Sequence, residues 1–344
     1  MTDATDRLLS RVCRDLNCDV SPQEPHTSPG SNFPLLLTAC SDTPLAALLN
    51  AQSAEDLLAL LRGVGAVVFR GYPPAGDKGF DQVLSALPLD PFTYTESFSN
   101  AVRRSRTERV FTANEAPPEV EIFLHHEMAQ TLLAPRYLAF YAEVVAATGG
   151  ATPLCQSEWL LDHLDRLLPD FTARCRRLGV RYTHTMPVAS DSGSGQGRSW
   201  RDTLSVGGRE EAEMRLQALG YGFEWLAGDE LRVTTPALAA VRSLAPGREV
   251  FFNQLVAAFA GWRDRRNQGG NAVSFGDGSP IPEQLLDTVV ETAYEHAHDH
   301  CWAVGDIALL DNLQVMHGRR PFTGQRVVLA GLAGPMALEP KTLA

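Results

Sequence analysis

No run of about 18 apolar residues occurs anywhere in the 344-residue chain, because Glu143 interrupts the best candidate around Tyr137–Ala147. A membrane-spanning helix is therefore not expected. A basic excess is missing too: 30 Lys and Arg stand against 41 Asp and Glu, for a formal charge of -11. That argues against broad nucleic-acid binding, which needs a basic footprint. The six cysteines (13, 18, 40, 155, 175 and 301) form no CxxC pair and are scattered as in a reduced cytosolic protein, not paired as in a disulfide framework. The opening MTDATDRLLS carries acid early and has no apolar h-region, so a secretory signal is not expected and the location read from the sequence is cytoplasmic. Internal repeats are absent as well.

What is present reads as globular. Hydrophobic residues make up 44% and charged residues 21%, enough for a large core without a structural metal. Residues 1–33, rich in Pro, Ser, Gln and Thr towards their end, suggest an extended lead-in, and 34–344 a single domain. Ser53 with Asp56 resembles a capping box, and AEDLLALLRGVG reads as a helix ending near Gly63 or Gly65 and feeding the β-rich Ala66–Arg70. Tyr137–Val145 looks like a core strand. Ser157 is placed to cap a helix with Trp159, Leu160, Leu164, Leu167 and Leu168 at helical spacing, ended by Pro169. The Gly/Ser-rich 187–200 stretch suggests a mobile loop, as lid or plain insertion, and a second loop spans Asn267–Pro280. A helix from about Pro282 to Ala297 follows, then strands Ile307–Leu310 and Val327–Gly331 with a turn between them. Short separated strands with helices on either side predict an α+β fold around an antiparallel β core.

The chemistry concentrates in FLHHEM, Phe123–Met128. On an extended segment His125 and Glu127 share a face while His126 points away, and an imidazole with a carboxylate at that spacing suits a chelating pair. The same pair also arises by chance, as a structural histidine beside a surface glutamate. The ending GDIALLDNLQVMHGRRPFTGQRVVLAG adds His317, nine residues before Arg326. Two histidines and one carboxylate on one face of a metal leave three positions open, as non-haem Fe(II) needs in order to bind a cosubstrate and O₂ together. Arg326 offers a planar charged fork for a carboxylate, and Thr152 in GGATPL a hydroxyl donor.

This ordered set, His125-x-Glu127, Thr152, His317 and Arg326, resembles the Fe(II)- and 2-oxoglutarate-dependent dioxygenases of the TauD/TfdA, clavaminate synthase-like superfamily. GAVVFRGY, HHEM, GGATP, FGDGSPIP and Trp302 with GDIALLDNLQVMHGR look like the same family, and the wording is closest to its syringomycin-biosynthesis (SyrP-like) branch. The resemblance covers roughly residues 60 to 335 and departs in two places. Glu127 replaces the commoner Asp, and the gap from His317 to Arg326 is slightly short, which makes Arg319 and Arg320 rival anchors. The presence of Glu127 argues against a halogenase.

The resemblance implies a double-stranded β-helix, or jelly roll, flanked by helices. It implies iron on His125, Glu127 and His317, with the far carboxylate of 2-oxoglutarate on Arg326 and Thr152, and O₂ as second cosubstrate. The implied reaction is hydroxylation of an amino acid, free or tethered to an acidic carrier protein, in secondary metabolism. Desaturation or cyclisation at the same site is the alternative, and a non-catalytic cupin-like metal-binding module is the alternative of another class. Arg326 and Thr152 speak against that module. Two arginine clusters, Arg103, Arg104, Arg106 and Arg109, and Arg263, Arg265 and Arg266, form either solvated faces or a positive rim for a carrier. Asn253 and Gln254 are candidate substrate contacts or edge-strand polar residues. His296, His298 and His300 are solvated or a separate metal site, His184 sits in a strand or points into the barrel, and Asn312 is expected to order the turn before His317.

Overall fold

The computed structural model describes residues 3–22, 33–73, 75–92, 103–191, 197–267 and 271–342. Seven strands form the larger sheet, in the order Cys18–Val20, Leu35–Ala39, Ala66–Arg70, Ile307–Asp311, Leu133–Val144, Val327–Ala337 and Val110–Thr112. All its pairs are antiparallel except Leu35–Ala39 with Ala66–Arg70. The smaller sheet has four antiparallel strands, His298–His300, Thr152–Gln156, Val315–Arg319 and Ile122–His125.

Side-chain alternation decides how the sheets pack. Ala66, Val68, Leu138, Phe140, Ala308 and Leu310 of the larger sheet meet Leu154 and Val315 of the smaller one in a shared core. Their neighbours Val67, Phe69, Ala139, Tyr141, Ile307 and Leu309 face the other way, onto helices Asp3–Asp15, Ala51–Val64 and Gly76–Ala86. On the outer side of the smaller sheet, Leu124, Cys155 and Met316 pack against helices Ser157–Leu167 and Glu283–Glu295. The result is the α+β double-stranded β-helix flanked by helices. A further sheet of Gly222–Trp225, Leu231–Thr234, Val180–Met186 and Val273–Phe275 lies at its side.

Several expectations need correction. The lead-in is not extended throughout: Asp3–Asp15 is a helix and Cys18–Val20 a strand. Leu9, Val12 and Leu16 recur on one helical face and join the core under the larger sheet, and Arg11 pairs with Asp56 at 2.8 Å. The Pro-rich part, residues 23–32, lies outside the described residues. The helix Ala51–Val64 is capped by Asn50, whose side chain accepts from the backbone N–H of Gln52 and Ser53, so Ser53 is the reciprocal partner and not the cap. Pro169 does more than end a helix, because its fixed φ opens the next one, Pro169–Leu178. Between Ile307–Asp311 and Val327–Ala337 runs a further strand, Val315–Arg319, buried at every position although His317, Gly318 and Arg319 break its apolar run. Within the 187–200 loop, residues 192–196 lie outside the described residues, while Trp200 N–H donates to the Pro187 carbonyl at 3.0 Å.

Candidate active site

Strand pairing brings the histidines together. Val315–Arg319 lies between Thr152–Gln156 and Ile122–His125, with His317 opposite His125 on one side and Leu154 on the other. Because Leu124 and Met316 face the outer core, His125 and His317 face inward, where Thr152 shares the side of Leu154. Their ring centroids are 4.4 Å apart, and Phe140 from the larger sheet packs on His317 at 5.3 Å. Beyond the strand the chain turns, with Met128 at φ 59°, and Glu127 swings its Oε2 to 3.9 Å from His125 Nε2 and 3.7 Å from His317 Nε2. One ligand atom from each of the three residues lies within 4.8 Å of the others. Among the described residues this is the one group of three His, Cys, Asp or Glu so arranged.

A buried framework holds that turn. Asn312 Oδ1 accepts from Glu127 N–H at 2.8 Å, and its Nδ2 donates to Glu127 O at 3.0 Å and to Pro135 O at 2.8 Å. His126, fully buried, points away as expected: its Nδ1 bonds the Asn312 carbonyl and its Nε2 lies 2.7 Å from Ser157 Oγ. Burial pushes its imidazole pKa down to about 3, so it stays neutral.

The electrostatics keep Glu127 ionised and His317 neutral. Burial pushes the Glu127 carboxyl up, but the Arg103 charge and then the His125 hydrogen bond outweigh it and hold the group well below the usual carboxylate range. Arg103 Nη2 donates to both Glu127 oxygens at 2.9 Å, with 6% and 5% of the two side chains exposed. His317 is kept neutral chiefly by burial, then by the neighbouring His125, which leaves an imidazole lone pair for a metal.

The same cavity holds Arg326, the expected anion anchor. Arg326 Nε donates to the Gly150 carbonyl at 3.1 Å, and among the described residues no carboxylate pairs with it. Burial, then Arg319 nearby, pushes its pKa down to about 10, the mark of a cation that lacks a counter-charge. Gly150 makes room for it: a Cβ there, at φ +72°, would meet Arg326 Cδ at 3.1 Å. Thr152 Oγ1 accepts from the Trp302 indole at 3.0 Å, so its own proton is left to donate. The rival arginines are spent. Arg319 donates to the carbonyls of Asn114, Ala116, Pro117 and Val120, and Arg320 pairs with Asp299 and Glu121. Triad, Thr152 and Arg326 all line one cavity of about 180 Å³, with Phe123, Gln254 and Trp262 on its walls.

A family model described as taurine catabolism dioxygenase TauD, TfdA family matches residues 32–332. The chain belongs to the TauD/TfdA family. It is therefore a dioxygenase of the iron- and 2-oxoglutarate-dependent class. A clavaminate synthase-like protein of Arabidopsis thaliana is 38% identical over 274 residues, covering 79% of this chain and 82% of its own. The dapdiamide synthesis protein DdaC of Enterobacter agglomerans is 26% identical over 324 residues, covering 91% and 94%. Among solved structures, PvcB of Pseudomonas aeruginosa superposes with a TM-score of 0.57 at 14% identity, covering 94% of this chain and 96% of its own. A taurine dioxygenase of Burkholderia xenovorans gives 0.52 at 15% identity, covering 95% and 96%. Both share the fold.

The TauD/TfdA dioxygenase has a donor set that fits its metal. Two imidazoles and one ionised carboxylate converge, and an uncompensated guanidinium waits in the same cavity. Other expected residues fare differently. Asn253 is fully buried with both amide ends on backbone, to Ala240 O at 3.2 Å and from Leu255 N–H at 3.0 Å, and it is not among the residues that line the cavity. Gln254 does line the cavity, though its Nε2 donates to His126 O at 2.9 Å. The HAHDH histidines form no metal cluster among the described residues, and His300 is buried beside Asp306.

Five of the seven clustered arginines are ion-paired, whereas Arg109 and Arg263 have no acidic partner among the described residues, and Arg263 lines the cavity. Arg103 pairs with Glu127, Arg104 with Glu115, Arg106 with Asp77 and Glu143, Arg265 with Glu230, and Arg266 with Asp191 and Asp264. The residues that sequence reasoning missed are Arg103 as a partner of the triad and Phe140 as its packing face. Neither carries a local signal, since Phe140 stands on strand Leu133–Val144 of the larger sheet and Arg103 in the segment before strand Val110–Thr112.

Proposed function

We propose that the protein hydroxylates a small amino-acid-like substrate in secondary-metabolite biosynthesis, with iron on His125, Glu127 and His317 and the far carboxylate of 2-oxoglutarate on Arg326 and Thr152. The single observation that carries this reading is the juxtaposition in one cavity of the triad and a buried arginine with no acidic partner among the described residues. When bound, iron(II) with 2-oxoglutarate and O₂ supplies the oxidising power to cleave an unactivated C–H bond, with succinate and CO₂ as coproducts. The chain's own residues do the rest. Two imidazoles and one carboxylate would hold the metal and leave three positions for cosubstrate and O₂. The Arg326 fork and the Thr152 hydroxyl fix the cosubstrate by charge-assisted and neutral hydrogen bonds. Phe123, Phe140, Trp262 and Val328 give an otherwise polar lining apolar surface for the substrate's carbon skeleton.

The substrate class rests on the SyrP-like wording of the sequence and on likeness to a protein of dapdiamide synthesis. The cavity is small beside the roughly 300–1,000 Å³ of drug-sized sites, which suits a small molecule. The test is succinate formation from 2-oxoglutarate with Fe(II) under air, across amino acids supplied free and loaded on a carrier protein. One substrate should raise succinate well above the background and gain one oxygen atom in mass. A loss of two hydrogens would mean desaturation or ring closure instead. No succinate with any substrate, despite metal binding, would favour the non-catalytic module.

A further inference from the structure

A glutamate is a looser metal ligand than an aspartate, because its extra methylene adds a torsion and its carboxylate can turn to give a metal both oxygens. For this site that difference matters. A facial triad leaves three positions only if its carboxylate uses one oxygen, and a chelating 2-oxo acid with O₂ needs all three. A second oxygen from Glu127 would take one of them.

The structure contains a group placed to prevent this. Arg103 Nη2 lies 2.9 Å from both Oε1 and Oε2 of Glu127, whereas the oxygen nearest to both histidines is Oε2. The guanidinium is itself held from behind. It sits over the Phe111 ring at 5.3 Å, and its neighbour Arg104 exchanges hydrogen bonds with Thr112, N–H to Oγ1 at 2.9 Å and O from N–H at 2.8 Å. Strand Val110–Thr112, paired with Val327–Ala337, thus fixes the arginine to the larger sheet while the triad stands on the smaller one.

We propose that Arg103 is a positioning residue: it retains Oε1 of Glu127 as a hydrogen-bond acceptor, so that the carboxylate gives the metal Oε2 alone and three positions stay open. This rests on the proposed function above. A cation beside the metal also opposes metal binding, so Arg103 serves ligand geometry at some expense of affinity. Its effect falls on the chelation of 2-oxoglutarate and much less on the metal.

The experiment compares wild type with Arg103→Met and Arg103→Lys under anaerobic conditions. Mn(II) binding is followed by the loss of the free-ion EPR signal. Cosubstrate chelation is followed by the visible charge-transfer absorption that arises when both oxygens of a 2-oxo acid bind Fe(II). Arg103→Met should bind one Mn(II) per chain at least as tightly as wild type. Its charge-transfer absorption should fall below about half, and the 2-oxoglutarate midpoint should rise about tenfold. Arg103→Lys, which keeps the charge and one donor, should recover part of both. Wild-type absorption and midpoint in Arg103→Met would overturn the inference. So would loss of Mn(II) by both variants with unchanged melting of the metal-free protein, since Arg103 would then build the site and not limit one ligand. Wild type that binds no Mn(II) would overturn the proposed function first, and this inference with it.

Discussion

Asn312 grips the backbone of Glu127 from both sides, accepting from its N–H at 2.8 Å and donating to its carbonyl at 3.0 Å. The bonds join the turn after strand Ile307–Asp311 to the turn after strand Ile122–His125, and so fix the Glu127 carboxylate relative to His317. Replacing Asn312 by Ala orphans the buried Glu127 N–H and the Pro135 carbonyl as well. The expected cost is about 2–4 kcal/mol of stability by urea denaturation, since each buried unpaired group costs about 1–3 kcal/mol. Metal affinity should fall about 10- to 100-fold in the same variant, as for other groups that orient a ligand. Unchanged affinity in a destabilised Asn312→Ala protein would mean that the turn finds its shape without it.

Arg326 and its surroundings give a graded series. Arg326→Ala should raise the 2-oxoglutarate requirement by about one and a half to three and a half decades, the equivalent of losing roughly 2–5 kcal/mol, with metal binding unaffected. Thr152→Val should cost less, about tenfold at most, because one neutral hydroxyl is lost. Gly150→Ala should resemble a weak Arg326 variant, since the added Cβ presses on Arg326 Cδ from a backbone at φ +72°. Isothermal titration of 2-oxoglutarate into the metal-loaded variants checks the order. An equal loss in all three would point to general damage.

The stability of the metal-free protein should fall in mild acid, and His184 is one identifiable cause. It is buried, neither ring nitrogen has a hydrogen-bond partner among the described residues, and burial pushes its pKa down to about 4. An unfolded histidine titrates near 6.5, so below that pH the unfolded chain takes up a proton that the folded one refuses. Folded stability from this residue is full above pH 6.5 and declines by up to about 1.4 kcal/mol per pH unit until about pH 4. His126, pushed to about 3, acts in the same direction. Urea midpoints of wild type and His184→Leu between pH 8 and pH 4.5 should therefore diverge, with the variant less acid-sensitive. Parallel curves would contradict this.

Much of the fold was legible because Ala66–Arg70 and Ile307–Asp311, buried between two cores, are short and largely apolar runs. Strand Val315–Arg319 escaped because His317, Gly318 and Arg319 break its apolar run, and the helix Asp3–Asp15 because the proline-rich stretch beside it dominated the reading. His125 and Glu127 were visible through their two-residue spacing, and the structure sets both beside His317 and turns His126 away. The seating of that pair was not visible. Asn312 and Arg103 act on Glu127 across 185 and 24 residues of sequence, and only the pairing of strands reveals such contacts. The Arg103 cluster looked like surface charge because local sequence shows an arginine's charge but not which carboxylate it will meet. Asn253 looked available for the same reason, although its amide is consumed by the backbone around it.

The central claim is that His125, Glu127 and His317 hold the iron that this TauD/TfdA dioxygenase uses. Anaerobic Fe(II) binding, measured as metal retained per chain after gel filtration, tests it most directly in wild type, His317→Ala, His125→Ala and Glu127→Ala. Wild type should retain close to one Fe(II) per chain and each variant almost none, with melting of the metal-free proteins showing that they remain folded. A full equivalent of Fe(II) on folded His317→Ala would contradict the claim and place the iron elsewhere.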